Sequence, residues 1–97
     1  MTAMKVLFGG EECQLVVLRY VKPQNICLRL VDAEGLPMAT ASVNPDYLLK
    51  DGTVAIKDYS ENAGILAALE AAGIVEQTGE TTPIGYAEAH ICRLLVK

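Results

Sequence analysis

The sequence predicts an α+β domain in which an antiparallel sheet of five to six strands carries one main helix on one face, in the order β-β-β-β-β-α-β. Three observations predict it. The first half of the chain alternates short apolar stretches, rich in Val, Ile, Leu and Tyr, with clusters of Gly, Pro, Asn and Asp, which is how strands and turns succeed one another. One stretch, residues 60–72, instead spaces its apolar residues at the helical period. The final apolar run, residues 89–96, returns to strand character, so the helix falls between two strands and can lie across a sheet face. At 97 residues the chain reads as one domain, 1–97, large enough for a single modest core.

Taken in order, "MKVLF" is a short β-prone strand, "GGEE" a turn, and "CQLVVLRYV" a second strand, the spacing of a hairpin. Pro23 removes a ladder donor and Asn25 suits a turn, so "KPQN" separates this hairpin from "ICLRLVD". There Ile26, Leu28 and Leu30 share one face, and Arg29 on the other reaches solvent or a partner. "DAEGLP" turns the chain, with Gly35 able to take positive φ, into "MATASVN", a weaker strand of small residues that completes a four-stranded meander. "NPDYLL" reads as a short helical or irregular piece anchored by Leu48 and Leu49, and "KDG" ends it before the fifth strand, "TVAIKDY".

Ser60 is the expected N-cap of the helix, its hydroxyl accepting an otherwise orphan backbone N–H, and Glu61 complements the positive end of the helix dipole. Three residues on stands Ala63, so the capping box is incomplete. Ile65, Leu66, Leu69 and Ala72 form the buried stripe, Gly73 takes the left-handed position past the end, and Ile74 folds back onto Leu69 in a Schellman motif. This small buried face leaves part of the sheet free for a second copy or a partner. "GETTPIGYAE" is a loop or a long hairpin arm, and "AHICRLLV" is too continuously apolar for an edge, which places it in the sheet interior.

Composition sets limits on function. Just over half the residues are apolar, 52%, and 21% are charged, which is globular rather than disordered composition. The longest apolar run, Leu15 to Leu18, is far short of the roughly 20 residues of a bilayer span, and the first residues lack signal-peptide order. A cytoplasmic protein without membrane contact is expected. Cys13, Cys27 and Cys92 are an odd number without paired spacing, each inside an apolar stretch, and are expected as buried free thiols. A formal charge of −4 with no Lys/Arg cluster argues against direct nucleic-acid binding and suits docking to a basic partner.

No catalytic, cofactor or metal signature emerges. His90 and Cys92 share a strand face, but no third group to orient them can be identified, and packing in a buried strand accounts for both. The carboxylates are scattered among turns with no calcium-loop order, and Gly9-Gly10 precedes a strand, not the helix a nucleotide loop requires. An enzyme is therefore not expected, and neither a cofactor nor a metal is assigned. The binding residues singled out are the polar lead-in Tyr59, Ser60, Glu61 and Asn62, together with Arg29. Free N–H groups at the helix start beside Tyr59, Ser60 and Asn62 would make a small anion-friendly shelf, which Glu61 opposes by charge. Capping alone also explains these residue types.

The stretches "ASVNPDYL", "KDYSENAGILAALEAAGIV" and "GYAEAHICRLL" resemble a family of small uncharacterised proteins carried by phages and conjugative elements of gut bacteria. In that family a strand ending in Val-Asn precedes a Ser-Glu-Asn-started helix and a Gly-Tyr/Phe-led last strand, and the match covers roughly residues 38–95. The resemblance carries no catalytic residues. What it implies is a setting in which such proteins bind and block a host defence component. The leading expectation is thus a non-enzymatic, anti-CRISPR-like inhibitor that binds a host defence protein. A rival is an oligomeric sponge for a signalling nucleotide, for which Arg19, Arg29, Arg93, Tyr20 and Tyr59 would supply cationic and aromatic groups. A structural or assembly role as a homo-oligomer is the third.

Overall fold

The computed structural model describes residues 4–96. Its elements are β1 (Lys5–Phe8), β2 (Glu11–Arg19), β3 (Ile26–Val31), β4 (Pro37–Thr40), β5 (Ser42–Val43), β6 (Thr53–Ile56), a 3₁₀ turn (Ser60–Asn62), α1 (Ile65–Ala71), β7 (Val75–Ile84) and β8 (Ala87–Leu94). All pairing is antiparallel, in two four-stranded sheets of order β1-β2-β3-β4 and β5-β6-β8-β7. The class is α+β as expected, but the single sheet of five to six strands is corrected to two sheets of four.

The division arises at Ala41. The strand expected at 38–44 pairs first with β3 as β4 and then with β6 as β5. Between the two, the Ala41 N–H donates to the Leu28 carbonyl (2.8 Å) and its own carbonyl accepts the Lys57 N–H (2.8 Å). A strand that leaves one sheet and enters another in this way makes a corner, and the sheets then enclose a core between them. Small residues suit the bend: Ala41 and Ser42 are both buried where the sheets meet. The other change is at 75–84, where the alternative between loop and hairpin arm resolves into strand β7. It adds an edge to the second sheet and leaves β8 in the interior, as its apolar character predicts.

The core draws on both sheets and the helix. Val6, Cys13, Ile26, Leu28 and Leu30 from the first sheet meet Val54, Ile56, Val75 and Cys92 from the second, with Ile65, Leu66, Leu69 and Ile74 filling the space between. The strand order runs from β1 through the Ala41 corner to β7, and α1 packs against those two end strands. All three cysteines are buried and free. Gly9 and Gly10, at φ 62° and 78°, form the two-residue turn that joins Phe8 to its ladder partner Glu11. Two successive positive φ values define the type I′ hairpin turn, whose twist matches its strands, and glycine adopts them without a Cβ penalty.

The helix is shorter than expected. It begins at Ile65, not Ser60, because Gly64 at φ 94° and Ala63 at ψ 126° break the helical path after the 3₁₀ turn. Its C-terminus follows the expected motif. Gly73 lies at φ 74°, its N–H donates to the Glu70 carbonyl (3.0 Å), and Ile74 N–H reaches the Leu69 carbonyl (2.9 Å). These are the two bonds of a Schellman cap, with Leu69 and Ile74 both fully buried.

Candidate functional site

Ser60 does not cap α1. The residue that does is Asp58, whose Oδ1 accepts the N–H groups of Gly64 (3.0 Å) and Leu66 (3.1 Å) from two residues before the 3₁₀ turn. Ser60 is exposed, makes no side-chain capping bond, and sits at φ 56°, in the left-handed region that side chains other than glycine rarely occupy. Asn62 is buried, and its Nδ2 donates to the Thr40 carbonyl at 2.8 Å, tying the lead-in to the outer edge of β4. The expected anion shelf is therefore not assembled. The lead-in ends in a 3₁₀ turn, α1 starts later, and Asp58 and Asn62 are spent on structural bonds.

Around this turn the charges are paired locally. Lys57 Nζ donates to Glu61 Oε1 and lies 5.4 Å from the centre of the Tyr59 ring. The hydrogen bond from Lys57 holds the Glu61 carboxyl below its usual range, and the same bond to Glu61 raises the Lys57 ammonium. Tyr59 is half-buried and Glu61 exposed. The turn is thus a compact polar knob whose free surface is Ser60, Glu61 and Ala63.

Arg29 lies one strand away from it. Thr40, whose carbonyl receives Asn62, is the ladder partner of Arg29. On β3 the inward residues are Ile26, Leu28 and Leu30, so Arg29 points outward, opposite Val16 on β2. The same alternation turns Leu7, Leu18, Val31 and Met38 outward. Leu7, Leu18 and Met38 remain 69%, 41% and 40% exposed. At the β1–β2 corner Lys5 and Glu12 neutralise each other at 3.5 Å. Among the described residues no ion pair engages Arg29, so this apolar face carries one uncompensated cation.

The outer face of the second sheet is covered around Ala55, Ala89 and Ile91. Residues 44–52 run across it as a strap, with Leu49, Val43 and Ile84 packed against a buried cluster of Ala55, Ala89 and Ile91. Asn25, 2% exposed, holds the strap from behind: Nδ2 donates to Asn44 Oδ1 (3.0 Å) and the Tyr47 carbonyl (2.9 Å), and Oδ1 accepts the Leu49 N–H (2.9 Å). The Tyr47 hydroxyl meets Thr82 Oγ1 at 2.6 Å on the far side. Clefts of about 230 and 250 Å³ lie on either side of Leu48–Lys50.

The remaining candidates are dispersed. Arg93 pairs with Glu76 on the second sheet, Arg19 donates to the Gln24 carbonyl (3.1 Å), and the Tyr20 hydroxyl is bound to Ser42 (3.0 Å to Oγ). These groups and Arg29 do not converge on one pocket within the protomer. Cys92 faces the core, where burial pushes its thiol up to about 11, and its Sγ contacts the His90 carbonyl at 3.7 Å. At neutral pH it is a packed thiol, not a nucleophile. Sequence reasoning missed Asp58 as the cap, the strap with its Asn25 latch, and the apolar outer face. Only the last left a signal, in the continuous apolar run Leu15–Leu18, which puts apolar side chains on both faces of β2.

Two antiparallel sheets joined at a corner, a short helix between their ends and one open sheet face define an α+β protein with a candidate docking surface. Among the described residues no helix is long and apolar enough to cross a membrane. No family model, curated relative or solved structure matches the chain.

Proposed function

We propose that the protein is a non-enzymatic binding protein of a phage or conjugative element that blocks a bacterial defence effector by occlusion, in the manner of an anti-CRISPR protein, in the host cytoplasm. The observation that supports this reading is the contrast between the two sheets. One outer face has a buried apolar cluster under the chain's own strap, whereas on the other Leu7, Leu18 and Met38 stay exposed beside the half-buried Val16, Val31 and Arg29. Apolar side chains grouped on an open sheet, with a polar knob at its edge, suit a protein partner better than a small ligand. The net charge of −4 favours encounter with a basic, nucleic-acid-handling effector, and Arg29 offers a partner carboxylate or carbonyl a charge-assisted contact near the middle of the patch.

The test compares the wild type with a Leu18→Asp/Met38→Asp variant in a host carrying an active defence system. Wild type should restore phage growth and retain an identified defence component at micromolar bait, and the variant should do neither while remaining folded. Failure of the wild type to retain any defence protein, or equal retention by the variant, counts against the reading.

A further inference from the structure

We infer that the 44–52 strap opens as a local unit, without global unfolding, with Asn25 and Tyr47 as its two latches. What holds it is unlike what holds the strands. Side chains supply its anchorage: three hydrogen bonds from the Asn25 carboxamide and one between Tyr47 and Thr82. Its apolar anchors are two, the buried Pro45 and the half-buried Leu49, the latter seated on a cluster of Ala55, Ala89 and Ile91. The two clefts flank the strap and share Leu48, Leu49, Lys50 and Thr53 as lining, and the second reaches Ile91 of the floor. Tyr47 and Leu48 are themselves well exposed.

A segment with few apolar contacts, side-chain latches and clefts on both flanks belongs to the low-stability end of a folded protein. Its ends are tied to the strands. Ser42 and Val43 pair with β6 just before it, and at the far end the Gly52 carbonyl accepts the Leu94 N–H (2.9 Å) while Thr53 N–H closes the turn on the Lys50 carbonyl (3.1 Å). Motion is therefore confined to the arch between them. When the arch lifts, the two clefts merge into one groove floored by Val43, Ala55, Ile84, Ala89 and Ile91. The second sheet then has a latent apolar face that the closed state conceals. This inference stands apart from the docking role of the first sheet, which does not involve the strap.

Native-state hydrogen exchange tests it on the protein as it is. The Leu49 amide, bonded only to Asn25 Oδ1, should exchange about 100-fold faster than the Cys92 amide in the interior strand, with little dependence on denaturant. Tyr47→Phe removes one latch and should speed Leu49 exchange by about fivefold, the equivalent of one hydrogen bond, while leaving Cys92 protection unchanged. A second readout is thiol labelling of an Ala89→Cys variant, which should accelerate by the same factor when Tyr47→Phe is added. If Leu49 exchanges only through global unfolding, with the rate and denaturant slope of Cys92, the strap is not a separate unit. If Tyr47→Phe changes neither readout, Tyr47 is not a latch.

Discussion

Asp58 and Leu66 are joined by a hydrogen bond of 3.1 Å that spans eight positions, and through it α1 receives its N-terminal cap from the strand side of the 3₁₀ turn. The same carboxylate oxygen takes the Gly64 N–H, so a single charged acceptor satisfies two of the four donors that a helix start leaves orphaned.

Asp58→Ala should therefore lower stability by about 1–2 kcal/mol, whereas Ser60→Ala, which removes no bond, should cost less than about 0.5 kcal/mol. Denaturant midpoints of the two variants check the order. Ser60→Gly should be neutral or stabilising, since glycine accepts the positive φ that serine occupies here.

Ser42 joins the two sheets. Its Oγ accepts the buried Leu28 N–H (3.0 Å) and meets the Tyr20 hydroxyl (3.0 Å). Ser42→Ala strands that N–H away from water and should cost about 1–3 kcal/mol, while Tyr20→Phe, which leaves the Leu28 bond intact, should cost about 1 kcal/mol. The opposite order in thermal or chemical denaturation would remove the junction role assigned to Ser42.

Cys92 gives an alkaline limit to stability. Its folded-state pKa of about 11 lies above its ordinary value of 9.0, so the native state holds the proton more tightly than the unfolded chain. The stabilisation is fully present below pH 9 and is lost as pH rises from 9 through 11, amounting to about 2–3 kcal/mol across that window. Cys92→Ala should flatten this part of the stability profile. Slow reaction of the native protein with thiol reagents at pH 8 is the simpler companion measurement.

On the open face, Arg29→Glu should leave the unfolding free energy within about 0.5 kcal/mol, because no ion pair holds the guanidinium among the described residues. Under the proposed function the same change should weaken partner capture by more than tenfold, since it reverses the one uncompensated charge of the patch. Leu69→Ala, which touches no surface, should do the reverse: it should cost about 2–5 kcal/mol and leave binding by the folded fraction intact.

What the amino-acid order determined by itself was the first hairpin turn, the helix stop and the burial of the thiols, though not the helix start, where the cap comes from Asp58 and not Ser60. Gly9-Gly10 announced a tight hairpin, the Leu69–Gly73–Ile74 spacing a Schellman stop, and apolar flanks the burial of Cys13, Cys27 and Cys92. Each depends on backbone geometry or period, which a short window contains. Tertiary structure decided the partners of polar groups. Asn25 has the composition of a turn residue, yet it clips a strap about twenty positions away; Ala41 is an unremarked small residue, yet it turns one expected sheet into two. Such roles belong to whichever donors and acceptors remain unpaired once the sheets have closed, and burial makes their satisfaction obligatory only then.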